Sequence, residues 1–257
     1  MNINQIEKLR TPFYNAFTQH WTKLLYGKIN LYVSALNDSV SIQTMETIPV
    51  DYRDVRELFL KTWILTGRFF AKNTIHEFRK SVSCPIHSKA VEDDFFDKYI
   101  YDFAENVAGQ RIVSITQTNK EAILKIIRAG LLEAEREGMG AIEMGRYIKE
   151  KLKNEMIHIS NYFAERISRT EIVGASNKGQ LLGAQSLGYN MTKTWLPAFD
   201  SRTRTFEKGP FNHAINETVG IYDDFQDTGE PMQHPGDPKG SAGNVINCRC
   251  SQTFKVL

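Results

Sequence analysis

The chain predicts an α+β protein: a mainly α-helical N-terminal part, followed by a small mixed strand-and-loop module packed on a long helix. Three observations predict it. Apolar residues recur at three-to-four spacing through most of the chain before Gly188. The period then changes to alternation at "MTKTWL", and the last quarter is rich in Gly, Pro, Asn and Asp before a second alternating run, "VINCRCSQTFKV". Hydrophobic residues make up 41% of 257 residues, enough to supply a core.

The elements follow in order. In "DYRDVRELFLKTWILTGRFFAKNTIHEFRKSV", Val55, Leu58, Phe59, Thr62 and Trp63, then Thr66, Phe69, Phe70 and Asn73, mark one aromatic face of a long amphipathic helix. Pro85 lacks an N–H and disfavours helix at Cys84, so "VSCPIHSKAVEDDFF" predicts a connecting loop. A second helical run begins near Asp93. Thr118 and Glu121 form a capping-box pattern ahead of Ile123, Ile126, Ile127 and Leu131, which predicts a fresh helix start, and Gly138 and Gly140 supply the stop. "AIEMGRYIKEKLKN" predicts a short helix with Ile142, Gly145, Ile148 and Leu152 on one side. From about His158 a long helix rich in small residues runs to a C-cap at Gly188. The organisation read from this is a helical region over 1–90, a helical region over 91–157 and an α+β module over 158–257.

Composition narrows the function classes. The formal charge is only +2 and basic residues are interspersed with acids, so no electrostatic footprint demands nucleic acid as the principal partner. Three cysteines cannot all pair, and Cys84 lies far from the other two. A secreted disulfide scaffold is a poor reading, and a reduced, intracellular site of assembly fits better. The first residues have no apolar segment of signal-peptide length, and no apolar run reaches membrane-spanning length.

Five stretches in the C-terminal part occur in a telling order: "ISRTEIVGASNKGQ", "TWLPAFDSRTR", "HAINETVGIYDDF", "HPGDP" and "NCRC". Together they resemble the phage Mu F-like minor head proteins, also called head morphogenesis proteins, over about Arg166 to Thr253. The helical stretch before them resembles the part that commonly precedes that domain. The motif positions are Arg166, Arg169, Thr170, Glu171, Asn177, Trp195, Asp200, Arg202, Arg204, His213, Pro235, Asp237, Asn247, Cys248, Arg249 and Cys250. The chain departs from the family pattern where "TFEKGPFN" separates Arg204 from His213; the "HAINETVGIYDDF" that follows assigns His213 to the family's histidine.

The resemblance implies a non-enzymatic structural part of a tailed-phage virion or prophage, inside the capsid near the portal vertex. Its partners would be the portal protein, the major capsid protein or both, with contact to packaged DNA, and its role head morphogenesis with genome packaging or ejection. Residues 1–90 lie outside the resemblance, and a portal or capsid anchor is the role open to them. No cofactor is expected, with zinc as the alternative.

The residues themselves admit several chemistries. Cys248 and Cys250 with His213, His234 or Asp200 supply ligands for a tetrahedral zinc site. Against zinc, residues two apart in a strand stand roughly 7 Å apart along the chain, and the alternating "VINCRCSQTF" predicts a strand. A cysteine hydrolase has its cysteine and histidine here but no helix N-terminus to lower the thiol pKa. A disulfide between Cys248 and Cys250 closes a very tight ring. The reading favoured is packing: both cysteines point inward from the last strand, Arg249 pairs with a carboxylate on the other face, and Asn247 bonds loop backbone.

On the helix, Arg166 and Arg169 are placed to meet Asp200 or another acid, and Glu171 to accept loop N–H groups or pair with Arg202 or Arg204. An ADP-ribosyl transfer site built on such Arg and Glu residues lacks a second acidic motif. Trp195 reads as core and His234 as solvated. The loop "DSRTRTFEKGPFN", with Arg202, Arg204, Lys208, Phe206 and Phe211, is the best candidate for a surface touching DNA or the portal, with a solvated loop, its charges partly offset by Asp200 and Glu207, as the equal alternative.

Overall fold

A computed structural model describes residues 1–38, 46–48, 51–81 and 93–257. The predicted break around Cys84 and Pro85 lies outside the described residues. Helices α1 (Ile3–Gly27), α2 (Ile29–Asp38), α3 (Arg53–Ser81), α4 (Asp93–Arg136) and α5 (Ala141–Ser186) are followed by β1 (Met191–Leu196), β2 (Thr218–Gly220), a single turn α6 (Ala242–Val245) and β3 (Ser251–Val256). The protein is α+β and mainly helical, as its periodicity predicts. No helix among the described residues is long and apolar enough to cross a membrane.

Two predicted helix boundaries do not exist. α4 runs through Thr118 and Glu121 without a start there. The buried spacing Ile100, Ala104, Ile112 and Thr116 continues into Ile123 and Ile127, and no proline interrupts it, so the capping-box residues sit inside a helix that has already begun. Likewise the short helix from Ala141 and the long one expected from His158 are one: Met156 extends the buried row of Ile148 and Leu152, and nothing between them breaks the period. Gly138, at φ 68°, and Gly188, at φ 71°, terminate α4 and α5 in the left-handed conformation that glycine adopts without strain.

The chain divides into two compact units, Met1–Ala16 with Phe59–Ala108 and Arg166–Leu257, and Phe17–Leu58 with Gly109–Glu165. The described elements of the second unit are all helices. Its core joins Ile29, Tyr32 and Leu36 of α2 to Ile123, Leu124, Ile126 and Ile127 of α4 and to Ile148, Leu152 and Met156 of α5.

In the first unit, α5 approaches α3 at two glycines. A Cβ on Gly179 would lie 2.2 Å from the carbonyl oxygen of Gly67, and one on Gly183 2.5 Å from that of Ala71. The small residues of α5 thus allow the backbones to meet where larger ones would separate them. The C-terminal module is a three-stranded antiparallel sheet in the order β2-β1-β3, with Trp195 opposite Gln252 and Lys193 opposite Phe254. Its core gathers Val173, Trp195, Ile215, Phe225, Met232, Val245, Cys248 and Cys250. Trp195 is fully buried, with its ring edge-to-face on His213 and on Phe225.

A candidate metal centre in the C-terminal module

Cys248 and Cys250 do not lie on the last strand. β3 begins at Ser251, and the chain reaches it through α6 and a turn in which Asn247 takes φ 59°. Asparagine tolerates this left-handed conformation better than most residues. Two contacts from α5 hold the turn: Asn247 N–H donates to Thr170 Oγ1 at 3.0 Å, and Arg169 donates to Asn247 Oδ1 at 3.2 Å. Strand spacing therefore does not keep the two sulfurs apart. Both sulfurs turn toward one imidazole, with His213 Nδ1 3.6 Å from Cys248 Sγ and 3.7 Å from Cys250 Sγ.

His213 reaches this position because the inserted segment closes on itself. Its backbone N–H donates to the carbonyl of Arg204 at 2.8 Å, so the residues between them form a loop whose ends meet. Arg204 in turn donates to the carbonyl of Ile246, tying the loop to the cysteine turn.

A chain of bonds fixes the histidine's tautomer. Glu230 accepts from the Ser241 N–H at 2.9 Å and from Asn244 Nδ2 at 3.1 Å. The Asn244 carbonyl oxygen therefore faces His213 Nε2, 2.6 Å away, and the imidazole must donate there. In the neutral ring Nδ1 is then left with its lone pair toward the two thiols.

The three donor atoms lie within 4.8 Å of one another and the residues are 1–2% exposed. Tetrahedral zinc, with bonds of about 2.3 Å to sulfur and 2.0–2.1 Å to nitrogen, sets its donors about 3.5–3.8 Å apart. The two nitrogen–sulfur separations match that edge length. Neutral imidazole with an outer hydrogen bond, beside two thiols, is also the right donor chemistry. The bond from Cys250 outweighs burial and holds the Cys248 thiol well below the ordinary range, while Cys250 is pushed well above it.

The remaining motif residues are spread around this cluster as its framework. Asn177 is fully buried and saturated: Nδ2 donates to the carbonyls of Pro235 at 2.9 Å and Cys250 at 3.1 Å, Oδ1 accepts from Ser251, and its own carbonyl accepts from Gln252. The carboxylate of Asp237 accepts the N–H groups of Gln233 and Lys239 and shapes the turn after Pro235.

Several pairings differ from those the sequence suggested. Asp200 meets Arg249 and the Arg202 N–H, while Arg169 turns to Asn247, because the left-handed turn carries Arg249 over Asp200. Asn247 thus bonds side chains of α5 and not loop backbone. Glu171 accepts from the Trp63 indole at 3.0 Å inside the unit. Arg166 holds Thr170 through its carbonyl. His234, expected in solvent, is fully buried against Phe103, and burial lowers its pKa to about 4.

Sequence reasoning missed four participants. Asn244 and Glu230 carry no motif. Arg10, far away in α1, is fully buried and donates to Ser176 at 2.8 Å and to the carbonyls of Arg249 and Cys250. Lys193 is legible only as an inward position of an alternating strand: its ammonium donates to the Gln233 carbonyl at 2.6 Å and lies over Phe225, with burial lowering its pKa to about 8.

In the loop from Asp200 to Phe211, Arg202, Phe206 and Lys208 are exposed and Arg204 is occupied at Ile246. No family model, curated protein or solved structure matches this chain.

Proposed function

We propose that this protein is a minor head protein of a tailed phage or prophage, a structural part of the capsid interior near the portal vertex that acts in head morphogenesis. One observation supports this reading above the rest. Residues from all five resembling stretches bond or pack against one another: Thr170 with Asn247, Asn177 with Pro235 and Cys250, Asp200 with Arg249, Trp195 with His213, and His213 with both cysteines. The sequence pattern thereby reads as the specification of one rigid module. Its partners are the portal protein, the major capsid protein or both, and the exposed Arg202, Phe206 and Lys208 form the surface offered to DNA or to the portal.

Within this reading His213, Cys248 and Cys250 hold a zinc through three of its four tetrahedral positions, which cross-links the loop ending at His213 to the cysteine turn. A hydrolase reading is favoured by the proximity of His213 to Cys248 and by the lowered pKa of that thiol. The burial of both weighs against it, since a nucleophile must reach its substrate.

The test is co-expression with the portal protein of the same genome, followed by size-exclusion chromatography with mass measurement. Co-elution with the portal ring is expected. Failure to associate with either portal or capsid protein, together with hydrolysis of an ester or peptide substrate that is lost in Cys248→Ser, overturns the structural reading.

A further inference from the structure

We infer that the hydroxyl oxygen of Tyr14, on α1, is the fourth ligand of the zinc held by His213, Cys248 and Cys250, and that it closes the site. The inference rests on the zinc reading above and goes beyond it, because the fourth ligand decides what the metal is for.

Three donors leave one tetrahedral position to fill. Two side chains that the sequence offered for it are engaged elsewhere: His234 is buried against Phe103, and Asp200 pairs with Arg249. Among the described residues no further histidine, cysteine or carboxylate brings a donor atom into the cluster. His213, Cys248 and Cys250 are only 1–2% exposed, so the remaining corner does not face bulk water.

Helix α1 carries Tyr14 to this place. Arg10, one turn earlier, donates to the carbonyls of Arg249 and Cys250. Residues four apart share a helix face, with Cβ atoms about 5–6 Å from one another, so Tyr14 stands beside the cysteine turn. Its ring packs against the core cluster that contains both cysteines. The hydroxyl oxygen is buried and has no hydrogen-bond partner. An unmet buried hydroxyl is costly, and an ion at the open corner meets it.

The surrounding charges suit an anionic oxygen. Burial pushes the Tyr14 pKa up, but the guanidiniums of Arg10 and Arg169 oppose the rise. Two thiolates and a phenolate exceed the charge of a divalent ion by one, and Arg169, fixed at Asn247, stands near to balance it. On binding, the ion forms bonds to His213 Nδ1, the two sulfurs and the phenol oxygen. The phenol proton, with any still on the thiols, passes to solvent, and no electron is transferred.

Catalytic zinc keeps one position open, whereas structural zinc fills all four with protein groups. The Tyr14 ligand therefore makes the ion structural. It ties α1 to the loop ending at His213 and to the cysteine turn, three stretches distant in the chain.

The experiment titrates zinc into the metal-free full chain and records the ultraviolet difference spectrum and the protons released. The band of a phenolate should rise to one per zinc. Tyr14→Phe, which keeps the ring and its packing, should lack the band, release one proton fewer and bind zinc at least about 10–100-fold more weakly, the loss that even an outer-shell contact produces. The wild-type band needs no variant, so the test stands even if Tyr14→Phe misfolds. Zinc bound without the band, and as tightly by Tyr14→Phe, overturns the inference: the fourth position then belongs to water and the zinc reading survives. A wild type that binds no zinc overturns both.

Discussion

His213 Nε2 lies 2.6 Å from Asn244 Oδ1, and that bond decides which face of the imidazole meets Cys248 and Cys250. Because Asn244 is itself oriented by the Glu230 carboxylate, the histidine presents its lone pair to the sulfurs without needing a ligand to turn it. A preset ring is what a metal site requires of its outer hydrogen bonds.

The reduced protein is expected to carry about one zinc per chain, and the Cys248→Ser, Cys250→Ser double variant none. Asn244→Ala should keep the stoichiometry but weaken zinc about 10–100-fold in chelator competition, since the ring is free to rotate. Elemental analysis decides the first point. Metal-free wild type that remains folded would leave the cysteines as packing alone.

Asn177→Ala should destabilise the protein by about 3–5 kcal/mol, because it leaves the buried carbonyls of Pro235 and Cys250 unmet and frees Ser251. Urea unfolding measures this. A loss below about 1 kcal/mol would show that these bonds do not hold the module together.

Gly179→Ala should cost about 3 kcal/mol or more, since the added methyl meets a backbone oxygen of α3 that cannot rotate away. Thermal unfolding of this variant beside Gly109→Ala, where a Cβ meets nothing within 4 Å, provides the comparison. Equal melting temperatures would refute the close approach.

Acid sensitivity follows from His234. Its pKa is lowered to about 4 by burial, opposed by Asp237, with Lys178 and Lys193 adding to the lowering. Unfolded, the same ring titrates near 6.5. Between those values the unfolded chain binds a proton that the folded one refuses, so stability falls as pH drops from about 6.5 to about 4, by a few kcal/mol at most. Carboxylates titrate in the lower part of this range, so the informative quantity is the difference between wild type and His234→Leu. The variant's unfolding free energy should vary less over this window, and parallel curves would exclude the histidine as the cause.

The long helices, the aromatic face of α3, the switch to strand at Met191 and the glycine stops at Gly138 and Gly188 were all determined by local pattern, because each depends on spacing or on a backbone conformation that one residue type favours. The burial of Cys248 and Cys250 and a carboxylate for Arg249 were legible in the same way. Tertiary structure decided the rest. Alternation in "VINCRC" reads as a strand until Thr170 and Arg169 of α5 hold Asn247 in a left-handed turn, and only that turn brings both sulfurs to His213. The helix start at Thr118 was overruled by continuous packing on either side of it. Arg10, Asn244, Glu230 and Lys193 were invisible as partners because their bonds join positions distant in the chain, and a hydrogen bond between distant residues leaves no period and no spacing in the sequence.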